Sequence, residues 1–363
     1  MNPLPAMDLE YLKNYAGRPL KLMEVCGTHT AAIFRSGIRD ILPPGIELIS
    51  GPGCPVCVTA QGYIDMCIEL AMKPNCALVS FGDMFKVPGS SGNLSAARAA
   101  GGRVIMVYSP FEVISMAEAE PDTEFVVAAV GFETTAPAYG LLLDELTGRG
   151  IRNVRLVTAL KSAIKAIDWV LDTGPEIDGL ICPGHVSVIT GSGVYEPIAR
   201  KHHRPCVVAG FEPVHISSAI CELVRMTQDP GQRDAVRNFY PEVVTVSGNE
   251  NAMRIIDKYF EPCDALWRGL GRLPGSGFCL RDEFRDYNAA PAGGGLDKND
   301  TGFDYDGGIP VGCSCSEVIT GRILPTDCAM FGTRCNPMDP LGPCMVSAEG
   351  ACGIWYQFNK NPE

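Results

Sequence analysis

The segment Phe125-Val126-Val127-Ala128-Ala129-Val130-Gly131-Phe132-Glu133-Thr134-Thr135 runs from six apolar residues directly into a polar, glycine-led turn. An apolar run this short suits a strand buried on both faces, and Thr135 to Thr147 beyond it reads as a helix. The same unit recurs along the chain. Strands are expected at Leu20–Val25, Glu47–Ser50, Ala77–Phe81, Arg103–Tyr108, Phe125–Val130, Val154–Ala159, Gly179–Cys182, Cys206–Ala209 and Val243–Val246. Helices are expected at Ala31–Ile41, Ala60–Met72, Leu94–Gly101, Lys161–Leu171 and His215–Gln228 as well. In the Ala60–Met72 stretch, Ile64, Cys67, Ile68 and Met72 recur at helical spacing and form one buried face. Strand–helix alternation of this kind gives parallel sheets covered by helices on both sides. The expected class is therefore α/β, with two small parallel-sheet domains flanking a cleft and a cysteine-rich C-terminal domain. Pro110, Pro121 and the acidic Glu118, Glu120 and Asp122 interrupt the pattern near Ser109–Asp122. That interruption sets domains at 1–120, 121–240 and 241–363. Val130-Gly131-Phe132-Glu133 and Ala209-Gly210-Phe211-Glu212 echo one another after apolar strands, a short match for a repeat.

The 363-residue length allows two or three domains. A net charge of −12 and a pI near 5.0 argue against nucleic acid, which requires basic patches to neutralise phosphates. No apolar run reaches membrane-spanning length. Met1 to Gly17 carries Asp8, Glu10 and Lys13 and has no apolar signal-peptide core, so a reducing, cytoplasmic location is expected. Gly293-Gly294-Gly295, with Asp297, Lys298, Asn299 and Asp300, reads as a flexible loop leading into the C-terminal unit.

Six of the sixteen cysteines fall between residues 313 and 352, spaced Cys313-x-Cys315-x12-Cys328-x6-Cys335-x8-Cys344-x7-Cys352. In a reducing compartment such clustering means metal or redox chemistry rather than disulfide scaffolding. A structural zinc knot is the alternative, but the short C-x2-4-C knuckle that starts such sites is missing. Six thiols also exceed four ligands. Four cysteines holding an iron–sulfur cluster, with two left as a redox-active pair, is the favoured arrangement. Fifteen choices of four from six are open on spacing alone.

Two further cysteine motifs stand where strands end and helices begin. In Cys26-Gly27-Thr28-His29-Thr30, Cys26 faces free backbone N–H groups, Thr28 or Thr30 can cap the helix, and the helix dipole is expected to lower the thiol pKa. His29 is one of only five histidines, and a thiolate and an imidazole within one turn suit a soft or borderline metal. Gly51-Pro52-Gly53-Cys54-Pro55-Val56-Cys57 carries a C-x-x-C that permits a reversible disulfide at Cys54 and Cys57, or half a zinc site. Gly82-Asp83, Gly131 to Thr135, Pro183-Gly184-His185-Val186-Ser187 and Gly210-Phe211-Glu212-Pro213 are four more strand-end turns. Singly each reads as a turn with a polar cap. Together they lie where open α/β sheets bind ligands, at strand carboxyl ends. No Walker A motif, radical-SAM cysteine triplet, complete dinucleotide fingerprint or nucleophile elbow is present.

These motifs, with Gly342-Pro343-Cys344-Met345-Val346-Ser347 and Glu349-Gly350-Ala351-Cys352, resemble the HypD-type maturation factors of [NiFe]-hydrogenases from about residue 20 to 355. The resemblance implies a cofactor-assembly scaffold with redox activity rather than a conventional turnover enzyme. On it an iron carrying two cyanides and one carbon monoxide is built before delivery to the hydrogenase large subunit. It implies a HypC-type chaperone as partner and a HypE-type protein as transient cyanide donor. Cys26 would be an iron ligand shared with the chaperone, with His29 nearby as second ligand, proton donor or orienting group. It also implies a [4Fe–4S] cluster on Cys313, Cys328, Cys335 and Cys352, leaving Cys315 and Cys344 as a dithiol or disulfide. In an extended C-x-C both side chains share a face, so the division between Cys313 and Cys315 rests on the resemblance. Electrons would pass from the cluster through Cys315 and Cys344 to Cys54 and Cys57. A cluster-dependent thiol–disulfide oxidoreductase acting on a protein substrate is the alternative function.

Overall fold

The computed structural model describes residues 6–290 and 308–358, and the Gly293–Asp300 loop lies outside them. Two parallel sheets and one antiparallel hairpin form the framework. The strands are β1 Leu20–Glu24, β2 Ile46–Ser50, β3 Cys76–Ser80, β4 Val104–Met106, β5 Glu124–Gly131 and β6 Val154–Leu160. They continue with β7 Gly179–Pro183, β8 Cys206–Ala209, β9 Val236–Phe239, β10 Phe260–Trp267 and β11 Gly271–Leu280. Eight expected strands are present to within a few residues. The ninth is not: Val243–Val246 lies in turns, with Val243 and Val246 exposed, and Val236–Phe239 pairs with β8 instead. Val236-Arg237-Asn238-Phe239 is a half-exposed edge, so it shows no apolar run to read.

The larger sheet has the order β2-β1-β7-β8-β9 and the smaller one β4-β3-β5-β6, all parallel. This corrects the division at residue 120. The chain builds β1 and β2, leaves to complete the whole smaller sheet, and returns at β7. Residue 120 falls inside that sheet, between β4 and β5, where Glu112–Ala119 is a helix and not a linker. Nor is 241–363 a separate unit. The Glu250–Tyr259 helix packs on Ala136–Arg149, and the β10–β11 hairpin packs on β6 and on the Ala163–Thr173 helix. Prolines and glycines such as Pro262, Gly271, Pro274, Gly275 and Gly277 punctuate this hairpin, which is why no alternation marks it.

Burial explains the order. Every residue of β3, β7 and β8 is buried, as expected for central strands covered on both faces. In each sheet the order reverses once, between β1 and β7 and between β3 and β5. Such switch points open a crevice beyond the strand carboxyl ends. No helix among the described residues is long and apolar enough to cross a membrane.

Candidate functional site: a sulfur-lined cleft at the β1–β7 switch point

β1 ends at Glu24, and Cys26 is the N-cap of the Gly27–Arg35 helix. No side chain caps this helix; Thr30 instead donates its hydroxyl to Glu24 Oε1. Glu24 Oε2 accepts the Cys26 N–H at 3.1 Å, so a buried carboxyl ties down the backbone of the cysteine. Burial pushes that carboxyl up to about 7. The Cys26 sulfur does face the N–H groups of His29 and Thr28, which favour the thiolate. Burial outweighs them, aided by the charges of Glu349 and Glu24, and the thiol rises to about 12. The expected dipole effect is therefore real but loses. Cys26 is held as a protonated thiol, whose proton a binding metal would displace.

Two close backbone approaches build the walls. A Cβ on Gly53 would lie 2.5 Å from the Cys26 nitrogen, and one on Gly27 would lie 2.2 Å from the Glu349 carbonyl oxygen. Only glycine fits at either position. They press the Cys54–Cys57 turn and the C-terminal Ser347–Cys352 turn onto the start of the helix. Cys54 and Cys57 are joined by a disulfide, and Thr28 donates to Glu349 Oε1 at 3.2 Å. One narrow cleft is lined by Gly27, Thr30, Cys54, Cys57, Cys344 and Glu349.

Behind it lies a second cavity, lined by all six C-terminal cysteines together with Val318, Phe331 and Met345. The sulfurs of Cys315 and Cys344 are 2.6 Å apart, and Cys313 is within hydrogen-bond reach of Cys315. Cys352 feels the charges of Cys315, Cys313, Cys335 and Cys328, so the thiols share one low-dielectric space. Burial raises Cys352, while Cys313 is raised first by its contact with Cys315 and then by burial. A set of soft sulfur donors in an apolar wall fits a thiolate-held iron–sulfur group. Cys344 lines both the cleft and the cavity.

His29 turns away from this cleft. Its Nε2–H donates to the carbonyls of Ala209 and Gly210, both at 3.1 Å, and its ring packs on Phe211 at 4.7 Å. His185 lies on the same phenyl ring at 4.0 Å. The histidine thus orients the Cys26 helix against the turn after β8. Burial drops His29 to about 4. Because the unfolded chain holds that proton up to about 6.5, the folded state loses stability as pH falls below 6.5 and stops losing it near 4. That contribution is ~3 kcal/mol from the size of the shift. Glu24 titrates with the opposite slope, since its folded pKa is raised. The measurement must therefore be a difference: the stability gap between wild type and His29→Gln should narrow by ~3 kcal/mol between pH 7 and pH 4. A pH-independent gap would show that His29 is not buried as a neutral ring.

The six strand-end turns divide between the sheets. Those carrying Cys26, Cys54, His185 and Glu212 end β1, β2, β7 and β8, while Gly82-Asp83 and Gly131–Thr135 follow β3 and β5 in the other sheet. The two Gly-Phe-Glu echoes also differ. Glu133 is buried and accepts the Ser162 hydroxyl at 2.7 Å and the Ala163 N–H at 3.0 Å, capping a helix, whereas Glu212 is exposed. Sequence reasoning missed Glu24 and Glu349 as parts of the site. Glu24 had one usable signal, a carboxylate closing a strand two residues before the cysteine.

The class that emerges is a cysteine-rich α/β protein with a buried thiol at a sheet switch point and a sulfur-lined cavity behind it. The HypD family model, described as the hydrogenase formation hypA family, matches residues 7–359. The hydrogenase maturation factor HypD of Azotobacter vinelandii is 40% identical over 356 residues, covering 94% of this chain and 90% of that protein. A putative hydrogenase expression/formation protein of Methanocaldococcus jannaschii is 39% identical over 341 residues, covering 94% and 92%. The Escherichia coli maturation factor HypD is 38% identical over 362 residues, covering 96% and 92%. The chain belongs to the HypD family of hydrogenase maturation factors.

Proposed function

We propose that this chain is the scaffold on which an iron with two cyanides and one carbon monoxide is assembled as cargo for [NiFe]-hydrogenase. A HypC-type chaperone shares the iron through its own cysteine, and a HypE-type protein donates cyanide. Cys26 supplies the thiol that accepts the iron at the switch-point cleft. Cys313, Cys328, Cys335 and Cys352 would hold a [4Fe–4S] cluster, which supplies one-electron transfer when bound. The observation that carries this reading is the position of Cys344. It borders the six-cysteine cavity on one side and the cleft with Cys54 and Cys57 on the other. Electrons arriving at the cavity therefore have a sulfur path to the cleft, by exchange between the Cys315/Cys344 pair and the Cys54–Cys57 disulfide.

Cysteine substitution tests the assignment. Cys352→Ala, and likewise Cys313→Ala, Cys328→Ala and Cys335→Ala, should bleach most of the broad visible absorption and lower the iron content of the purified protein. Cys315→Ala and Cys344→Ala should keep most of both. A protein that loses its absorption with Cys315→Ala and keeps it with Cys313→Ala would reverse the roles of these two residues.

A further inference from the structure

Arg268 carries a buried charge that neither iron binding nor cluster ligation uses. It stands in the turn between β10 and β11 and is 1% exposed. Its backbone N–H donates to the Val58 carbonyl at 2.9 Å, one residue beyond Cys57. Its guanidinium Nη2 donates to the Pro88 carbonyl at 2.5 Å. The next residue, Gly269, backs onto Ser316, where an added Cβ would lie 3.0 Å from the Ser316 Cβ. Ser316 follows Cys315. One short turn thus abuts the segments bearing both thiol pairs, and Trp267 belongs to the same packed core as Cys54, Cys57, Cys315 and Cys344. Burial lowers the guanidinium to about 10, so it stays cationic at neutral pH; Cys315 is foremost among the groups whose charge acts on it, ahead of Asp65, Cys344 and Cys313.

We propose that Arg268 is a positioning residue for thiol–disulfide exchange at Cys315–Cys344, holding a positive charge beside the sulfur that departs as a thiolate. This rests on the reading of Cys315 and Cys344 as a redox pair. Cys344 faces the cleft and Cys315 does not line it, so a thiolate entering from the cleft attacks the Cys344 sulfur. A new S–S bond forms there, the Cys315–Cys344 bond breaks, and Cys315 leaves with the electron pair. The second thiol of the reductant then displaces Cys344 and closes the reductant's own disulfide. Two electrons pass to the pair, and the two protons of the reducing dithiol end on Cys315 and Cys344. In the test that dithiol is dithiothreitol. Inside the protein the same exchange runs in reverse, the reduced pair passing its two electrons to the Cys54–Cys57 disulfide as the Cys315 thiolate attacks the Cys344 sulfur of the mixed disulfide and releases the partner thiol. Negative charge develops on the departing sulfur at any resting protonation, so the arginine acts on the rate.

The experiment oxidises the purified full chain, adds dithiothreitol, traps thiols at timed intervals, and counts those at Cys315 and Cys344 by mass spectrometry. Arg268→Met should slow reduction roughly tenfold, and Arg268→Lys should recover most of the rate. Asp65→Asn, which removes the anion acting on Arg268, should quicken it, and that arm holds even where Arg268→Met does not fold. Equal rates in wild type and Arg268→Met overturn the proposal, as do equal losses in the Met and Lys variants, which would mean packing rather than charge. So does an unchanged rate in Asp65→Asn. Wild type alone tests the underlying reading: if its oxidised form never joins Cys315 to Cys344, the redox pair fails and the role of Arg268 falls with it.

Discussion

Replacing Cys26 with alanine should abolish hydrogenase maturation while leaving the protein folded and its visible absorption intact. The thiol is small and sits at a helix start whose remaining bonds run through the backbone, so its loss should cost only ~1 kcal/mol of stability. Its chemistry has no substitute among the thiols that line the neighbouring cleft. Cys54 and Cys57 are tied to each other, and the Cys344 sulfur lies 2.6 Å from that of Cys315. The comparison to make is hydrogenase activity in cells carrying the variant, set beside circular dichroism and iron content of the purified chain. Partial maturation, even at a tenth of the wild-type level, would mean that another group can hold the iron. Cys26→Ser should be nearly as damaging, since a hydroxyl is a hard donor where low-spin iron with cyanide and carbonyl ligands calls for a soft one.

The second large effect is structural. Trp267→Ala should destabilise the protein by about 4 kcal/mol, read as a shift in the urea unfolding midpoint. Trp267 is fully buried, stacks on Phe132 at 5.8 Å between ring centroids, and donates its indole N–H to Ser276 Oγ at 2.8 Å. It also bridges to Thr59, two residues beyond Cys57. Removing it opens a cavity where the hairpin, the smaller sheet and the Cys54–Cys57 segment meet. Trp267→Phe, which keeps most of the volume and loses the hydrogen bond, should cost less than half as much. A loss under ~1 kcal/mol for the alanine variant would show that the hairpin does not pack as described.

Much of this architecture was legible in the residues, for definable reasons. Strands such as Phe125–Val130 announce themselves because central parallel strands are apolar on both faces. Strand order does not, because nothing local to β2 or β6 says that the chain will cross to another sheet. Hence the division at residue 120 fell inside a sheet. The hairpin was hidden for the opposite reason: its glycines and prolines break the alternation that reveals exposed antiparallel pairs. The cysteines of the site were legible, since thiols in clusters need an explanation wherever they occur. Glu24 and Arg268 were not, because a charged residue looks solvated until the fold shows what covers it. The same fact corrected the chemistry of Cys26. Its position at a helix start was readable, but the burial that keeps its proton on is a tertiary property.

Infrared spectroscopy tests the central claim most directly. The chain would be purified with its HypC-type chaperone from cells that contain the other maturation proteins, in wild-type and Cys26→Ala forms. The scaffold reading predicts cyanide and carbonyl stretching bands in the wild-type complex and none in the Cys26→Ala complex. A wild-type complex without those bands, or a Cys26→Ala complex that keeps them, would contradict it.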